Sequence, residues 1–149
     1  MKLAIGADEQ THVTDAVLAE LRRRGHELAL FGPLAGAAET WPAVARGVAE
    51  AVAGGAADEG ILFCWTGTGV SIAANKVPGI RAALCDDAET ARGARLWNNA
   101  NVLCLSLRRV SEVVAGEILD AWFSTRYLPN ASDDAALAAL DAIETDYAE

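Results

Sequence analysis

Short apolar runs alternate along the chain with longer segments in which apolar residues recur every three or four positions. Residues 61–64 form one such run, and a continuous apolar run is typical of a strand covered on both faces. Residues 11–24 show the helical spacing instead, and Gly25 follows where a helix end favours glycine. The pattern predicts five strands, at residues 3–5, 27–31, 61–64, 81–84 and 102–105.

Helices are predicted between and after these strands, at about residues 11–24, 42–52, 70–75, 88–96, 111–123 and 133–147. Pro42 suits the first turn of its helix, residues 32–41 are predicted as a loop, and either Asp86 or Asp87 can cap the fourth helix. Strands that alternate with helices imply right-handed crossovers and a mainly parallel sheet. We therefore expect a three-layer α/β fold with a five-stranded sheet, forming a single domain over residues 1–149.

The composition narrows the classes of function. A net charge of −9 disfavours nucleic acid and anionic membrane as partners, because an acidic surface repels both. No apolar run approaches the roughly 20 residues that cross a bilayer, and the apolar N-terminus is too short for a signal peptide, so a cytoplasmic protein is expected. The cysteines Cys64, Cys85 and Cys104 are odd in number and widely spaced, which disfavours a disulfide framework or a zinc site.

Polar residues follow four of the predicted strands. In open parallel sheets, ligands bind beyond the carboxyl ends of the strands, so these residues are the first candidates for a site. They form four groups: Asp8 and Glu9, residues 64–71, Asp86 and Asp87, and residues 106–109.

The second group contains a glycine-rich turn that opens a helix. Gly67, Thr68 and Gly69 would present free backbone N–H groups, which stabilise a phosphate or a developing oxyanion. Ile72 stands where a dinucleotide fingerprint needs its third glycine, and the lysine of a P-loop is absent from the sequence. A purely structural tight turn is the alternative interpretation.

Cys64 ends the strand that leads into this turn. A cysteine in this position can act as a general base beside an oxyanion site, with the Thr66 hydroxyl close by. An inert buried thiol is the alternative for Cys64, and it is the interpretation we give to Cys85 and Cys104.

Residues 60–76, GILFCWTGTGVSIAANK, closely resemble the signature of the type B ribose-5-phosphate isomerase and galactose-6-phosphate isomerase family. The resemblance covers nearly the whole chain and includes residues 6–8, 75–82, 98–103, 120–122 and 142–144. It implies a Rossmann-like sheet and a homodimer, or a dimer of dimers, with the active site at the subunit interface. It also implies aldose–ketose isomerisation of a small sugar through a cis-enediol(ate), without a metal or other cofactor.

The resemblance also implies roles for individual residues. Cys64 matches the base that moves a proton between C1 and C2, Thr66 matches a residue that assists at the oxygens, and Asp8 matches one that binds sugar hydroxyls. In the family the amides of residues 67–71 hold the enediolate, and a second subgroup has a glutamate base where this chain has Val70. The other residues expected around the substrate are Glu9, Trp41, Trp65, Gly67, Thr68, Gly69, Ser71, Trp97, Asn98 and Arg108.

The departures from the family pattern concern substrate recognition. Glu9 stands where the family has a histidine near the phosphate, and two phosphate-binding arginines align with Ala131 and Ala135. The histidine that opens the sugar ring aligns with Trp97, although Arg108 stands where the family has an arginine. Each lost charge-assisted contact is worth about 1.5–3 kcal/mol, so a dianionic sugar phosphate is expected to bind poorly in the usual orientation.

Three tryptophans replace smaller or more polar residues of the family pattern. Trp41 aligns with a tyrosine, Trp65 with a glycine and Trp97 with the ring-opening histidine. They can stack on a sugar face or another ring, or they can fill the volume of the lost side chains. His12 can replace the missing histidine or be a solvent-facing helix residue.

Three functions are compatible with these residues. The first is an isomerase of a non-phosphorylated or otherwise atypical sugar, in which Cys64 is the base. The second is an ordinary ribose-5-phosphate isomerase whose phosphate is held by other residues, such as Arg108, Arg126 or groups of a second subunit. The third is a non-catalytic sugar-binding homologue. Epimerisation through the same enediolate is not distinguished from isomerisation by the sequence.

Overall fold

Strands and helices alternate along the computed structural model, which describes residues 1–148. The strands are β1 (Lys2–Ala7), β2 (Glu27–Phe31), β3 (Glu59–Cys64), β4 (Ala82–Leu84) and β5 (Val102–Ser106). The helices are α1 (His12–Arg23), α2 (Trp41–Ala53), α3 (Thr68–Ala74), α4 (Ala88–Asn98), α5 (Glu112–Ser124) and α6 (Ala131–Tyr147).

The five strands form one sheet in the order β2-β1-β3-β5-β4, and every pairing is parallel. The predicted mainly parallel α/β sheet is therefore confirmed. The chain leaves β1 towards β2 on one side and places β3 on the other, so a crevice opens between the carboxyl ends of β1 and β3. In this register Ala7 lies beside Phe63, which brings the residues that follow β1 next to Cys64.

Each face of the sheet is covered by its own apolar cluster, which gives three layers. One cluster packs α1, α4 and α5 against residues such as Leu3, Phe63 and Leu105. The other packs α2 and α3 against Leu62 and Cys104. Strands β3 and β5 are buried along their whole length, which explains their continuous apolar sequences.

Side chains cap four of the helices. Thr11 and Ser111 accept hydrogen bonds from the backbone N–H groups of Thr14 and Val114, and Asn130 caps α6 in the same way. Of the two candidate caps for α4, Asp87 is the one used, and it accepts from the Thr90 N–H at 2.7 Å.

Most predicted element boundaries differ from the structure by one or two residues, and two of the differences concern predicted site residues. Residues 32–41 were expected to form a loop, but they contain a short 3₁₀ helix (Gly32–Ala35), and Trp41 is already the first residue of α2. The side chain of Thr40 makes no capping hydrogen bond, so the start of α2 carries only the weaker signal of the following proline. Helix α4 continues two residues past the predicted end and includes Trp97 and Asn98.

A buried polar cluster joins β3 to α4 and α5. The Arg95 guanidinium donates to the Glu59 carboxylate at 2.7 Å and to the Ala100 carbonyl at 2.7 Å. It also lies over the indole of Trp122, whose Nε1–H donates to the second Glu59 oxygen. Each charge is therefore paired and hydrogen-bonded, as a buried ion pair requires.

Helix α6 is the least buried helix, and no residue of it is fully buried. The Gly79 N–H donates one bifurcated hydrogen bond to both oxygens of the Glu144 carboxylate, while Leu140, Ile143 and Tyr147 remain exposed. None of the helices within residues 1–148 has the length and apolar character needed to cross a membrane.

Candidate active site

Cys64 lies at the carboxyl end of the central strand and is 5% exposed. Its carbonyl accepts a hydrogen bond from the Leu107 N–H at 3.0 Å. The carbonyl of the next residue, Trp65, accepts from the Arg108 N–H at 3.0 Å and from the Ser106 hydroxyl at 3.1 Å. The loop after β5 therefore fixes the backbone that carries the Cys64 thiol.

Gly67 makes the turn from β3 into α3 possible. Its φ of +74° lies in the left-handed region, where side chains with a Cβ are strained. A Cβ at this position would lie 2.5 Å from Leu84 Cδ1 and 3.0 Å from the Ser106 nitrogen. Both the conformation and the close approach of β5 therefore require glycine.

The first backbone N–H groups of α3 are available at this turn. The first residues of a helix have no intrahelical partner for their N–H groups, and in α3 these residues are Thr68, Gly69 and Val70. The Ser71 N–H already donates to the Gly67 carbonyl at 3.3 Å. Of the amides at residues 67–71 that were expected to hold the enediolate, the Ser71 amide is therefore already engaged in the helix.

The hydroxyls of Thr66 and Thr68 are hydrogen-bonded to each other at 2.7 Å. Both residues are exposed and lie on either side of Gly67. The hydroxyls meet because the left-handed residue between them reverses the chain direction. This contact was not predicted from the sequence.

Trp41 covers the outer side of the turn. Three atoms of its ring lie 3.0, 3.2 and 3.3 Å from the position that a Cβ on Gly69 would occupy. The indole is nevertheless 42% exposed. Trp65 is 57% exposed, so both rings leave part of their surface accessible at this edge of the sheet.

Asp8 and Glu9 follow β1 beside Cys64. Asp8 is half-buried, and its Oδ1 atom is buried without a hydrogen-bond partner. A buried carboxylate oxygen without a partner is costly, so such an atom indicates a place where a ligand donor can bind. Glu9 is exposed at the rim of the same crevice.

The other two cysteines are chemically unsuited to act as a base. Burial, together with the charges of Asp87 and Asp86, raises the pKa of the Cys85 thiol to about 12. Burial also raises the pKa of the Cys104 thiol. Both therefore stay protonated near neutral pH, in agreement with their interpretation as inert core residues.

Charged side chains also follow β4 and β5 at this edge of the sheet. Arg109 lies 3.5 Å from the carboxylate of Asp86, whereas Arg108 is exposed and is held by its backbone contact to Trp65. His12 is an exposed residue of α1, and its Nδ1 lies 3.2 Å from Glu112.

A family model described as Ribose/Galactose Isomerase matches residues 3–139. Ribose-5-phosphate isomerase B of Escherichia coli K12 is 41% identical over 127 residues, which is 85% of each chain. D-erythrulose-4-phosphate isomerase of Pectobacterium atrosepticum is 36% identical over 129 residues, again 85% of each chain. The structure of ribose-5-phosphate isomerase B from Clostridium thermocellum superposes with a TM-score of 0.92 at 38% identity and covers 99% of this chain and 100% of that one.

The chain belongs to the ribose/galactose isomerase family. It is therefore an aldose–ketose isomerase with a Rossmann-like fold, as the resemblance implied.

Two residues expected in the site of this ribose/galactose isomerase lie elsewhere in the single chain. Trp97 and Asn98 end α4, which runs antiparallel to the strands, so they lie towards the amino ends of the sheet rather than beside Cys64. They line an open cavity of about 570 Å³ along the free edge of β4. Trp97 is 53% exposed and packs on Gly93 and the Arg92 guanidinium. Ala131 begins α6, in the same outer part of the fold.

Sequence reasoning placed Ser106, Thr66 and Thr68 among the candidate residues but missed two contacts that they make. Ser106 is buried, and its hydroxyl holds the Trp65 carbonyl. A polar residue that ends an otherwise apolar strand is a signal that could have indicated this contact. The bond between Thr66 and Thr68 has a weaker signal, namely two hydroxyl residues on either side of a glycine in a turn.

Proposed function

We propose that this isomerase interconverts an aldose and a ketose through a cis-enediol(ate), with Cys64 as the general base. The observation that carries the proposal is the position of Cys64 beside Asp8, whose buried Oδ1 atom lacks a protein partner. A sugar hydroxyl donating to Asp8 would satisfy that oxygen and hold the substrate over the end of β3.

The reaction needs two proton transfers and no external oxidant. The Cys64 thiolate removes the proton from C2 of the aldose and returns it to C1, while the proton on O2 moves to O1. The Thr66 hydroxyl lies at the turn where it can pass this second proton. The backbone amides of Thr68 and Gly69, at the start of α3, would stabilise the charge that develops on the carbonyl oxygen.

The substrate proposed is a sugar that is not phosphorylated or is otherwise atypical of the family. Glu9 places a carboxylate at the rim of the crevice, where it repels a phosphate dianion. Ala131 and Ala135 are on α6 and provide no charge. The exposed rings of Trp41 and Trp65 offer apolar faces on which a neutral sugar ring can stack.

We further propose that the active form is a homodimer, or a dimer of dimers, in which each site takes residues from two chains. Trp97 and Asn98 would then act in the site of the neighbouring subunit. Two cavities, of about 570 and 390 Å³, lie along the unpaired edge of β4 and include Asn98, Leu140 and Ile143. Edge strands and exposed apolar residues of this kind are suited to cover by a second copy.

A sugar phosphate is the second candidate substrate. The names of the relatives favour it, because the proteins from E. coli and P. atrosepticum are named for ribose 5-phosphate and erythrulose 4-phosphate. Arg108 is exposed near the end of β5 and is the basic residue that could meet a phosphate there.

Deuterium exchange tests the reaction without presuming the product. Ribose, erythrose and galactose, each free and as its terminal phosphate, would be incubated with the enzyme in D₂O, and deuterium at C2 would be followed by NMR. We expect exchange and ketose formation to be faster with a free sugar than with its phosphate. Faster turnover of a phosphate would establish the second candidate, and no exchange with any sugar would contradict the isomerase mechanism.

A further inference from the structure

The hydroxyl of Thr68 has no structural task in its own helix. Thr68 is the first residue of α3, and the helix begins at Gly67 without any side-chain capping bond. Within residues 1–148, the Thr68 hydroxyl is hydrogen-bonded to the hydroxyl of Thr66 at 2.7 Å. The side chain is exposed, so neither packing nor burial accounts for the contact.

The backbone that carries this contact is constrained by packing and hydrogen bonds. Gly67 is held in its left-handed conformation between Leu84 and the backbone of β5, and the carbonyl of Trp65 is fixed by Ser106 and Arg108. The two threonines are therefore attached to a backbone that is held on both sides. A hydrogen bond between two hydroxyls restricts the rotation of each hydroxyl about its C–O bond. The proton or lone pairs that are not used in this bond then point away from the partner hydroxyl.

From this contact we infer that Thr68 is a positioning residue for the isomerisation, because it orients the Thr66 hydroxyl for proton transfer between O1 and O2. The inference rests on the proposed function, in which Thr66 works at the substrate oxygens. Thr66 accepts the proton of O2–H while its own proton goes to O1, so its charge and composition are unchanged after the transfer. The Thr68 side chain does not touch the substrate in this scheme and keeps Thr66 in the rotamer that reaches both oxygens.

If Thr68 has this role, altering it should slow the proton transfer from O2 to O1 without slowing the removal of the proton from C2. Cys64 would still remove the proton from C2, but the enediolate would more often return to the starting aldose because the O2 proton moves slowly to O1. The Thr68→Val variant keeps the shape of the side chain and loses the hydroxyl. Its kcat should fall roughly three- to tenfold with little change in KM, as expected for the loss of one neutral hydrogen bond.

The test is the ratio of deuterium exchange at C2 to ketose formed, measured in D₂O with the panel of free and phosphorylated sugars described above. The ratio should rise in Thr68→Val, return to the wild-type value in Thr68→Ser, and be no higher in the Thr66→Val/Thr68→Val double variant than in Thr66→Val. An unchanged ratio in Thr68→Val, or independent effects of the two valines, would overturn the inference while leaving the proposed function intact. Absence of exchange in the wild type would instead remove the proposed function, and this inference with it.

Discussion

The indole ring of Trp41 lies directly against Gly69, although the two residues are 28 positions apart in the sequence and belong to different helices. A methyl group on Gly69 would come within 3.0 Å of the ring, so Gly69→Ala must displace the indole by a few tenths of an ångström. Because the ring is partly exposed, we expect it to move away from the turn. The tryptophan fluorescence should then shift, and the KM for the sugar should rise.

Gly116→Ala is the matched control for that substitution. Gly116 also lies in a helix, but a Cβ there meets no atom within 4 Å. The Gly116→Ala variant should therefore keep the wild-type tryptophan fluorescence and the wild-type KM. Equal behaviour of the two variants would show that the contact between Trp41 and Gly69 has no part in shaping the site.

Gly67→Ala should destabilise the protein through both strain and overlap. The left-handed conformation costs about 1–2 kcal/mol for a residue with a Cβ, and the overlap with Leu84 and β5 adds about 1–3 kcal/mol. Gly79 has a similar φ of +85° with no atom within 4 Å of its Cβ position, so Gly79→Ala isolates the strain. Urea unfolding should give a clearly larger loss for Gly67→Ala, and equal losses would contradict the steric part of the explanation.

Glu59→Gln should lower the free energy of unfolding by about 3 kcal/mol or more, because it leaves the buried Arg95 guanidinium without its opposite charge. Glu50→Gln is the control, since Glu50 pairs with Arg46 on the exposed surface at the same distance of 2.7 Å. That variant should unfold like the wild type. Losses of similar size in the two variants would mean that the burial of the Glu59 pair does not govern its contribution.

The shared active site predicts complementation between two inactive proteins. Cys64→Ala removes the proposed base, and Asn98→Ala with Trp97→Ala removes the groups proposed to act in the neighbouring site. After the two proteins are unfolded together and refolded, mixed dimers would contain one site with all its groups, so about a quarter of the wild-type activity should return, since half of the dimers are mixed and each has one complete site of two. If no activity returns while size-exclusion chromatography shows mixed dimers, the sites are not shared.

Most of the fold follows from features that are local in the sequence. The apolar run 61–64 and the helical spacing of residues 11–24 identify β3 and α1, because burial on both faces and on one face leave different patterns. The order of the strands does not follow in this way. The position of β5 between β3 and β4 depends on packing over the whole chain. Strands and helices would alternate along the sequence in the same way if β4 lay next to β3.

The candidate site could likewise be predicted only in part from the sequence. Cys64 and the glycine-rich turn could be located from the sequence, because the end of a buried strand and a helix start have recognisable signals. The contact of Trp41 with Gly69 and the unpartnered oxygen of Asp8 could not, since both depend on how distant segments meet. The separation of Trp97 from Cys64 depends on the direction of α4 and on any second subunit.

In the proposed reaction Cys64 moves the proton, and C2 deuterium exchange measured in Cys64→Ala and in Cys85→Ala tests this role. Both substitutions remove a buried thiol, but only Cys64 lies at the crevice beside Asp8. We expect Cys64→Ala to lose at least about 100-fold in exchange rate, the lower end of what a positioned base contributes, while Cys85→Ala stays near the wild-type rate. A folded Cys64→Ala protein that exchanges C2 at the wild-type rate would show that Cys64 is not the base.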